Sequence, residues 1–271
     1  MATAAQIREH YDSLAFIYRT FWGDHIHHGL FVEGEESPEE AQVKLLEHCG
    51  RLVRLGGGEK ILDVGCGHGG TLLHFARNRN CSGMGLTLSP KQARIATESA
   101  ERAGLSQRLT FVVDDADRFA FPEAEFDVVW AMESSEHFSG KTKFLANAAA
   151  GVRPGGRLLV AAWTGSMLSL RVREVARAFL CPELWTVHQY AEAAEAAGWS
   201  VLQSEDLTAK IIRTWEICQQ RAQGVKAAIR LLPRAAREFV EGIDIILDAY
   251  RSGDLTYTVI TASESGGKPE S

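Results

Sequence analysis

One acidic residue followed by a glycine-rich turn is the feature of this sequence best suited to binding a small molecule. The run ILDVGCGHGG at residues 61–70 places Asp63 just before glycines at alternate positions. Apolar residues that lead into glycines predict a buried strand, a tight turn and the start of a helix. Glycine lets a ligand lie against the backbone, because a Cβ atom would hold it away. The acid would repel a pyrophosphate and would suit a ligand that carries an ammonium group.

Two other interpretations of this turn stay open. A dinucleotide-binding turn has the spacing G-x-G-x-x-G, whereas this one is acid-x-G-x-G-x-G. No lysine follows the glycines as it does in a Walker phosphate-binding loop. The alternatives that stay open are a purely structural turn and a turn that binds another nucleotide.

Carboxylates and an imidazole follow the fourth predicted strand, where they could act as bases. They are Glu133, Glu136 and His137. A histidine with a pKa near neutrality can take a proton from a phenol, an amine or a carbon acid. His137 is thus a candidate base or substrate-positioning residue, with a structural hydrogen bond as the alternative. Glu133 is a second candidate base, or a group that binds a substrate amine or hydroxyl.

Histidines also occur in an aromatic stretch at residues 21–31. His27 and His28 are the alternative base candidates from this stretch, which we expect to be a lid over a substrate pocket. The alternative is a packed aromatic loop with a structural role only. Together with His25 they lack a nearby carboxylate or cysteine arrangement, so the sequence predicts no metal site.

Strands and helices alternate from residue 59 onwards. The predicted strands cover residues 61–64, 81–86, 109–113, 126–131, 157–163, 199–207 and 255–262. Strands separated by helices imply right-handed crossovers and a parallel sheet covered on both faces. Ligands bind at the carboxyl ends of such strands. The predicted fold class is α/β, a doubly wound and mostly parallel seven-stranded sheet, with an apolar helical block at residues 211–251 inserted before the last strand.

These motifs together resemble class I S-adenosylmethionine-dependent methyltransferases, in the small-molecule branch that includes tocopherol C-methyltransferases. The resemblance is carried by residues 61–70, GLTLSPKQ at 85–92, DDA at 114–116, FDVVWAMESSEH at 126–137, RPGG at 153–156 and the segment 22–31. It implies a Rossmann-like fold with S-adenosyl-L-methionine as cofactor. It also implies in-line methyl transfer, in a closed apolar pocket, to carbon, nitrogen or oxygen of a small lipophilic or aromatic metabolite.

The resemblance assigns cofactor binding to ten positions. They are Asp63, Gly65, Cys66, Gly67, Thr87, Leu88, Gln92, Asp115, Ala116 and Met132. Gln92 would bind the ribose, since the second strand ends without the acid that many class I enzymes use there. Asp115 would accept a hydrogen bond from the adenine amino group while the Ala116 amide donates to the ring. Asp114 competes with Asp115 for that role.

The resemblance further implies that the acceptor lies between an N-terminal lid and a helical cap. The expected organisation is a helical lid over residues 1–58, a cofactor-binding core over 59–165, a cap with the last strands over 166–263, and a polar, disordered tail over 264–271. Trp22, His27, Trp163 and Trp215 are the residues predicted to bind the acceptor.

Composition narrows the class of protein. The chain has 271 residues and a net charge of -6, without a Lys/Arg-rich run, so we expect neither nucleic acid nor an anionic membrane as a partner. No stretch approaches transmembrane length, which predicts no stable membrane insertion. Five scattered cysteines without C-x-x-C spacing predict a reducing compartment and a cytoplasmic protein. The oligomeric state is left open.

Two alternative functions share these motifs. A cyclopropane-synthase-like enzyme would use the same cofactor for methylene transfer, and it shares the Gly-Leu-Thr-Leu-Ser run and the Glu136-His137-Phe138 run. A cyclase or a binding protein would hold the cofactor without transferring its methyl group.

Overall fold

A seven-stranded mixed sheet forms the centre of the computed structural model, which describes residues 6–8, 27–224 and 234–265. The strands are β1 (Lys60–Val64), β2 (Ser82–Thr87), β3 (Leu109–Val113), β4 (Phe126–Met132), β5 (Val152–Gly165), β6 (Trp199–Asp206) and β7 (Leu255–Glu264). Their order across the sheet is β3-β2-β1-β4-β5-β7-β6. Strand β7 runs antiparallel to both of its neighbours, and the other pairings are parallel. The predicted doubly wound, mostly parallel fold is confirmed.

The strand order places a crevice at the middle of the sheet. The chain builds outward from β1 to β3 and then returns to add β4 beside β1. In open α/β sheets, ligands bind outside the carboxyl ends of the strands at such a reversal. Asp63 pairs with Gly85 of β2 and with Trp130 of β4, so it lies at this point.

Helices cover both faces of the sheet. They are α1 (Pro38–Leu52), α2 (Gly70–Arg79), α3 (Pro90–Arg102), α4 (Lys141–Gly151), α5 (Leu170–Ala178), α6 (Val187–Ala196), α7 (Thr208–Ile211), α8 (Arg213–Gly224) and α9 (Arg234–Ser252), with a 3₁₀ turn at Ser135–His137. The Ser89 side chain accepts a hydrogen bond from the Gln92 amide, and Pro90 occupies the first turn of α3. This cap fixes where Gln92 lies.

Two apolar layers, one on each face, form the core. Ile61 and Trp130 point to one layer, whereas their neighbours Leu62 and Val129 point to the other. This alternation within single strands is typical of a sheet that is buried on both sides. Helices α8 and α9 contribute to the first of these layers, so the inserted helical block adds to a face of the sheet that α1, α2 and α5 also cover.

Several predicted boundaries differ from the observed ones. Strand β5 begins at Val152 instead of residue 157. The helical block predicted over 211–251 contains separate helices. Strand β7 extends to Glu264, so residue 264, the first of the predicted polar tail, is paired with β6. The remaining tail residues, 266–271, and residues 1–5 and 9–26 of the predicted lid lie outside the described residues.

No helix in the described part of the chain is both long enough and apolar enough to span a bilayer.

Candidate active site

A pocket of about 130 Å³ lies at the carboxyl ends of β1 to β4. It is lined by Ile7, Arg8, Gly65, Gly67, Leu86, Thr87, Leu88, Ser89, Gln92, Asp114, Asp115, Ala116, Asp117, Met132, Glu133, Ser134, His137, Phe138 and Ser139. Eight of the ten predicted cofactor residues are in this set. The other two, Asp63 and Cys66, are buried beside it in β1 and in the turn that follows. Residues far apart in sequence thus meet where the fold predicts a ligand.

Asp63 is a buried carboxylate with one oxygen available to a ligand. It is 3% exposed, and its Oδ2 atom has no hydrogen-bond partner among the described residues. Burial raises its pKa from 3.8 to about 7, because a charged group is poorly solvated there. A ligand ammonium group would supply the missing partner. The side chain therefore fits the amino-acid moiety of S-adenosylmethionine.

The glycine turn separates a structural position from an open one. Gly65 has φ +85°, and a Cβ atom there would lie 2.3 Å from the Ser134 Cβ. The Gly65 and Cys66 amides both donate to the Leu86 carbonyl, at 2.8 and 2.9 Å. Gly67 has φ +52°, but a Cβ atom there would meet nothing within 4 Å. Gly65 is thus needed for packing, whereas Gly67 leaves bare backbone on the pocket wall.

The next wall presents a fixed amide. The Thr87 hydroxyl donates to Gln92 Oε1 at 2.7 Å and accepts from the Ser89 amide at 3.2 Å. Because the Gln92 oxygen is engaged, the amide nitrogen is the end of this buried side chain that is left to donate. This arrangement fits an acceptor oxygen such as a ribose hydroxyl.

The acidic loop after β3 is held by its own side chains. Asp114 Oδ1 accepts from the Asp115 amide at 2.7 Å, and Asp115 Oδ1 accepts from the Asp117 amide at 3.0 Å. Both acids line the pocket, so the competition between Asp114 and Asp115 for the adenine remains open. Asp117 also accepts from the Ser139 and Gly140 amides, both at 3.0 Å. It ties this loop to the loop after β4.

Among the lining residues that were absent from the predicted set, three have instructive positions: Ile7, Arg8 and Asp117. Ile7 is 4% exposed and Arg8 lies beside it, so these two residues line the pocket. Both fall within the lid predicted over residues 1–58, but outside the aromatic stretch at 21–31 on which that prediction concentrated. Asp117 is one of several neighbouring aspartates, and the conformation of the turn decides what each of them contacts. Neither contact has a sequence signal, because both join segments distant along the chain.

A second carboxylate, Glu133, is surrounded by donors. It follows β4 with φ +51°, an uncommon conformation for a residue with a side chain, and its amide donates to the Ala161 carbonyl at 2.7 Å. Its Oε1 accepts from the His28 amide at 2.9 Å and from the Tyr257 hydroxyl at 2.8 Å. Its Oε2 lies 2.8 Å from His28 Nδ1. Burial alone would raise the pKa of Glu133, but the ring and amide of His28 outweigh burial and lower it.

His28 has both ring nitrogens engaged. The Trp215 indole N–H donates to His28 Nε2 at 2.5 Å. An indole nitrogen can only donate, so Nε2 is the acceptor and the ring proton lies on Nδ1, facing Glu133. A role for His28 as a base stays a prediction, and it would require the hydrogen bond to Trp215 to break.

Aromatic side chains surround His28. Its ring centroid lies 6.1 Å from that of Trp163, 5.5 Å from Trp215, 6.4 Å from Tyr250 and 5.1 Å from Tyr257. Trp163 and Trp215, both predicted to bind the acceptor, are therefore side by side and buried. The third such residue, His27, is also buried, which lowers its pKa. The fourth, Trp22, lies outside the described residues.

His137 differs from the other two catalytic candidates. It ends the 3₁₀ turn, its amide donates to the Ser134 carbonyl at 3.0 Å, and it lines the pocket with a partly exposed side chain. Its neighbour Glu136 is 2% exposed and accepts from the Trp163 amide at 2.8 Å. The structure thus brings His137 and Glu133 to the pocket, whereas His28 lies behind Glu133.

No three metal-binding side chains among the described residues lie together in a way that could hold an ion. Because His25 lies outside those residues, the absence of a metal site stays a prediction.

The strand order and the bare turn beneath the pocket define the Rossmann-like fold of class I methyltransferases. The chain belongs to the family described as mycolic acid cyclopropane synthetase, whose sequence profile matches residues 1–245. This is a family of S-adenosylmethionine-dependent enzymes, so the predicted resemblance and cofactor are confirmed.

Known proteins similar to the chain span most of its length. The 27-O-demethylrifamycin SV methyltransferase of Amycolatopsis mediterranei (strain S699) is 30% identical over 231 residues, which cover 83% of this chain and 84% of that protein. The chloroplastic tocopherol O-methyltransferase of Arabidopsis thaliana is 26% identical over 284 residues, 95% of this chain and 81% of that protein. The solved cyclopropane synthase MmaA2 from Mycobacterium tuberculosis matches with a TM-score of 0.85 at 20% identity, covering 97% of this chain and 99% of that one. At such identity the solved structure supports the fold alone.

Proposed function

We propose that the chain transfers the methyl group of S-adenosylmethionine to carbon, nitrogen or oxygen of a small lipophilic or aromatic metabolite. The observation that carries this proposal is the unpartnered carboxylate of Asp63 beside the open backbone at Gly67. A buried acid left without a partner costs stability, which an incoming ammonium group offsets. The relatives named above as methyltransferases of rifamycin and tocopherol compounds support an acceptor of this class.

Residues from three segments of the chain would hold the cofactor. Asp63 would accept from its ammonium group, Gln92 would donate to its ribose, and the loop at Asp115 and Ala116 would bind its adenine. When bound, the cofactor supplies a methyl group already activated on a positively charged sulfur. The chain's own task is therefore alignment and exclusion of water, and not activation of the donor.

The aromatic group around His28 would shape the acceptor side. Two consecutive hydrogen bonds, from Trp215 to His28 and from His28 to Glu133, hold its rings in place. Rigid positioning of two reactants can supply roughly 7–11 kcal/mol in favourable intramolecular cases, more than a single proton transfer usually gives. A site without an obvious catalytic triad is consistent with this kind of catalysis.

His137 is the residue we assign to proton transfer or to positioning of the acceptor. Three hydrogen bonds from His28 and Tyr257 make Glu133 a weaker base, and both ring nitrogens of His28 are already engaged. His137 lines the pocket and ends the 3₁₀ turn that follows β4. If it acts as a base, its loss should lower turnover by about 100-fold or more.

Methylene transfer to an alkene is the second candidate function. The matched family carries the name of cyclopropane synthetases, and a cyclopropane synthase has the same fold. A cofactor-holding cyclase remains the third. We also place the protein in the cytoplasm and in secondary metabolism, supported by five unpaired cysteines and by the rifamycin-modifying relative.

The test is to incubate the protein with S-adenosylmethionine and a panel of phenols, indoles, prenylated quinols and terpenoids. S-adenosylhomocysteine formation and product mass are measured together. Both reactions add CH₂, so the product is also examined by NMR: a new methyl group on carbon, nitrogen or oxygen supports the proposal, whereas a cyclopropane ring favours the second candidate. His137→Ala should lower turnover more than the affinity for S-adenosylhomocysteine, and an unchanged rate at saturating acceptor would make His137 structural. Binding of S-adenosylhomocysteine without turnover of any panel member would favour the third candidate.

A further inference from the structure

Asp117 uses all of its polar atoms to join two loops of the pocket. Its carboxylate accepts from the Ser139 amide through Oδ2 and from the Gly140 amide through Oδ1, both at 3.0 Å. Its own amide donates to Asp115 Oδ1 at 3.0 Å, and its carbonyl accepts from Lys143 Nζ at 2.7 Å. The loop after β3 and the loop that leads into α4 are therefore connected through one residue, which itself lines the pocket.

One end of this connection is a residue predicted to bind the adenine. The Asp117 amide holds Asp115 Oδ1, whereas the other oxygen of Asp115 lies 3.9 Å from Arg118 Nε. The Arg118 side chain is 84% exposed, so this ion pair contributes little. The amide of Asp117 is thus the closer and stronger constraint on how the Asp115 carboxylate is oriented.

The other end is the loop that carries His137. The buried Lys141 donates to the Phe138 carbonyl at 2.8 Å and to the Glu183 carbonyl at 2.9 Å. These bonds fix one side of the loop to the core. Asp117 holds the two amides that follow Phe138, so its position sets the side of the loop that faces the pocket.

A helix cap would account for only part of this arrangement. Gly140 is the N-cap of α4 and has no side chain to cap that helix, so the Asp117 carboxylate takes this role. A negative charge is also favourable at a helix N-terminus. A cap, however, needs neither a hydrogen bond to Asp115 nor a place on the pocket wall. Consecutive hydrogen bonds of this kind can carry energetic coupling between two sites.

We propose that Asp117 is a positioning residue that couples adenine binding to the placement of His137. Its amide orients the acid predicted to contact the adenine, and its carboxylate holds the loop of the predicted base. A bound cofactor thereby fixes His137 before the acceptor reacts. The proposal rests on the proposed function, since it assumes that the loop at Asp115 binds the adenine.

The test follows the Gly140 amide signal of ¹⁵N-labelled protein by NMR during titrations with adenosine and with S-adenosylhomocysteine. Gly140 is bonded to Asp117 but is not among the described residues that line the pocket. We expect both ligands to shift its signal in the wild-type protein. Asp117→Ala keeps the backbone amide at position 117, so adenosine should still bind, about 3- to 10-fold more weakly, but the Gly140 shift should be lost. Asp117→Asn keeps one acceptor oxygen and should retain part of the shift.

Thr186→Ala is the matched control for the loss of a helix cap. Thr186 caps α6 by accepting from the Gln189 amide at 3.2 Å, and it is not among the described lining residues. This variant should leave adenosine affinity and the Gly140 shift unchanged. With S-adenosylhomocysteine bound, the imidazole signal of His137, assigned with His137→Ala, should move in Asp117→Ala and stay in place in Thr186→Ala.

Two results would overturn the coupling. One is a full Gly140 shift in either Asp117 variant, and the other is the absence of a shift in wild-type protein that binds adenosine. Calorimetry with S-adenosylhomocysteine separates the two proposals. If the wild-type protein does not bind it, the proposed function itself is contradicted, and the coupling with it.

Discussion

Two buried carboxylates lie at the ends of neighbouring strands and have opposite surroundings. Asp63 in β1 leaves one oxygen without a partner among the described residues, and burial raises its pKa to about 7. Glu133 after β4 accepts three hydrogen bonds, from His28 twice and from Tyr257, and its pKa is lowered despite burial. Asp63 can therefore accept a hydrogen bond from a ligand, whereas Glu133 already accepts hydrogen bonds from protein groups.

The two acids also mark two ways of building a site. The cofactor side is made largely of backbone and of residues at the carboxyl ends of strands, at Gly65, Gly67 and Thr87. The proposed acceptor side would be made of side chains from distant elements, which meet around His28. We therefore expect mutations on the acceptor side to affect folding first, and mutations on the cofactor side to affect binding first.

Removal of Glu133 should give the largest change. Glu133→Ala would leave buried donors of His28 and Tyr257 unpaired, which typically costs about 3–5 kcal/mol of unfolding free energy. The melting temperature should fall by roughly 6–20 °C. Glu205→Ala is the matched control, since Glu205 also bonds a histidine, His48, at 2.8 Å, but with side chains 33% and 19% exposed. That pair should be worth less than about 1 kcal/mol. Equal losses in the two variants would contradict the structural role of Glu133.

Replacement of Asp63 should act on binding instead. Asp63→Asn keeps the shape but removes the charge that would face an ammonium group. S-adenosylhomocysteine affinity should fall by about 2–4 kcal/mol, or roughly 30- to 900-fold, by calorimetry. The free protein should not lose stability at pH 8, because the variant no longer buries an unpaired charge. Wild-type affinity in Asp63→Asn would refute the assignment.

Asp127→Asn is the control for that experiment. Asp127 lies at the opposite end of the sheet, where its carboxylate accepts from the Lys60 amide at 2.7 Å and pairs with Arg153 at 2.9 Å. It should leave S-adenosylhomocysteine affinity unchanged.

The sequence predicted the cofactor side far better than the acceptor side. A strand, a glycine turn and a capped helix are local patterns, so Asp63, Gly67 and Gln92 could be placed without the structure. The contact between His28 and Glu133 joins residues 105 positions apart, and no pattern of sequence spacing predicts it. Sequence reasoning treated these two residues as separate candidate bases, whereas their hydrogen bonds make them one buried pair. The boundaries of β5 and β7 were missed for a similar reason, since pairing between distant strands extends both.

A substitution at Gly67 should show whether this position matters for ligand binding as well as for stability. Gly67→Ala places a side chain at φ +52° with open space around it, at a cost of about 1–2 kcal/mol. Gly155→Ala is matched, with φ +76° and nothing within 4 Å of the new Cβ, but it lies far from the pocket residues. Urea unfolding should show similar losses, and only Gly67→Ala should weaken S-adenosylhomocysteine binding. Equal affinity in the two variants would remove Gly67 from the pocket wall.

The smallest effect we predict is a pH dependence of cofactor affinity that Asp63 alone sets. Its pKa is raised from 3.8 to about 7, so the folded protein binds more protons than the unfolded chain between about pH 4 and 7, and this group's contribution to stability falls as pH rises through that window. An ammonium group binds the ionised form, so the bound proton must leave on binding below pH 7. S-adenosylhomocysteine affinity should thus be about fivefold lower at pH 6 than at pH 7, close to 1 kcal/mol. Calorimetry in two buffers of different ionisation enthalpy should detect the released proton, and Asp63→Asn should abolish both effects. A pH dependence of the opposite sign, or one that persists in Asp63→Asn, would mean that the acid is not the group that meets the ligand's charge.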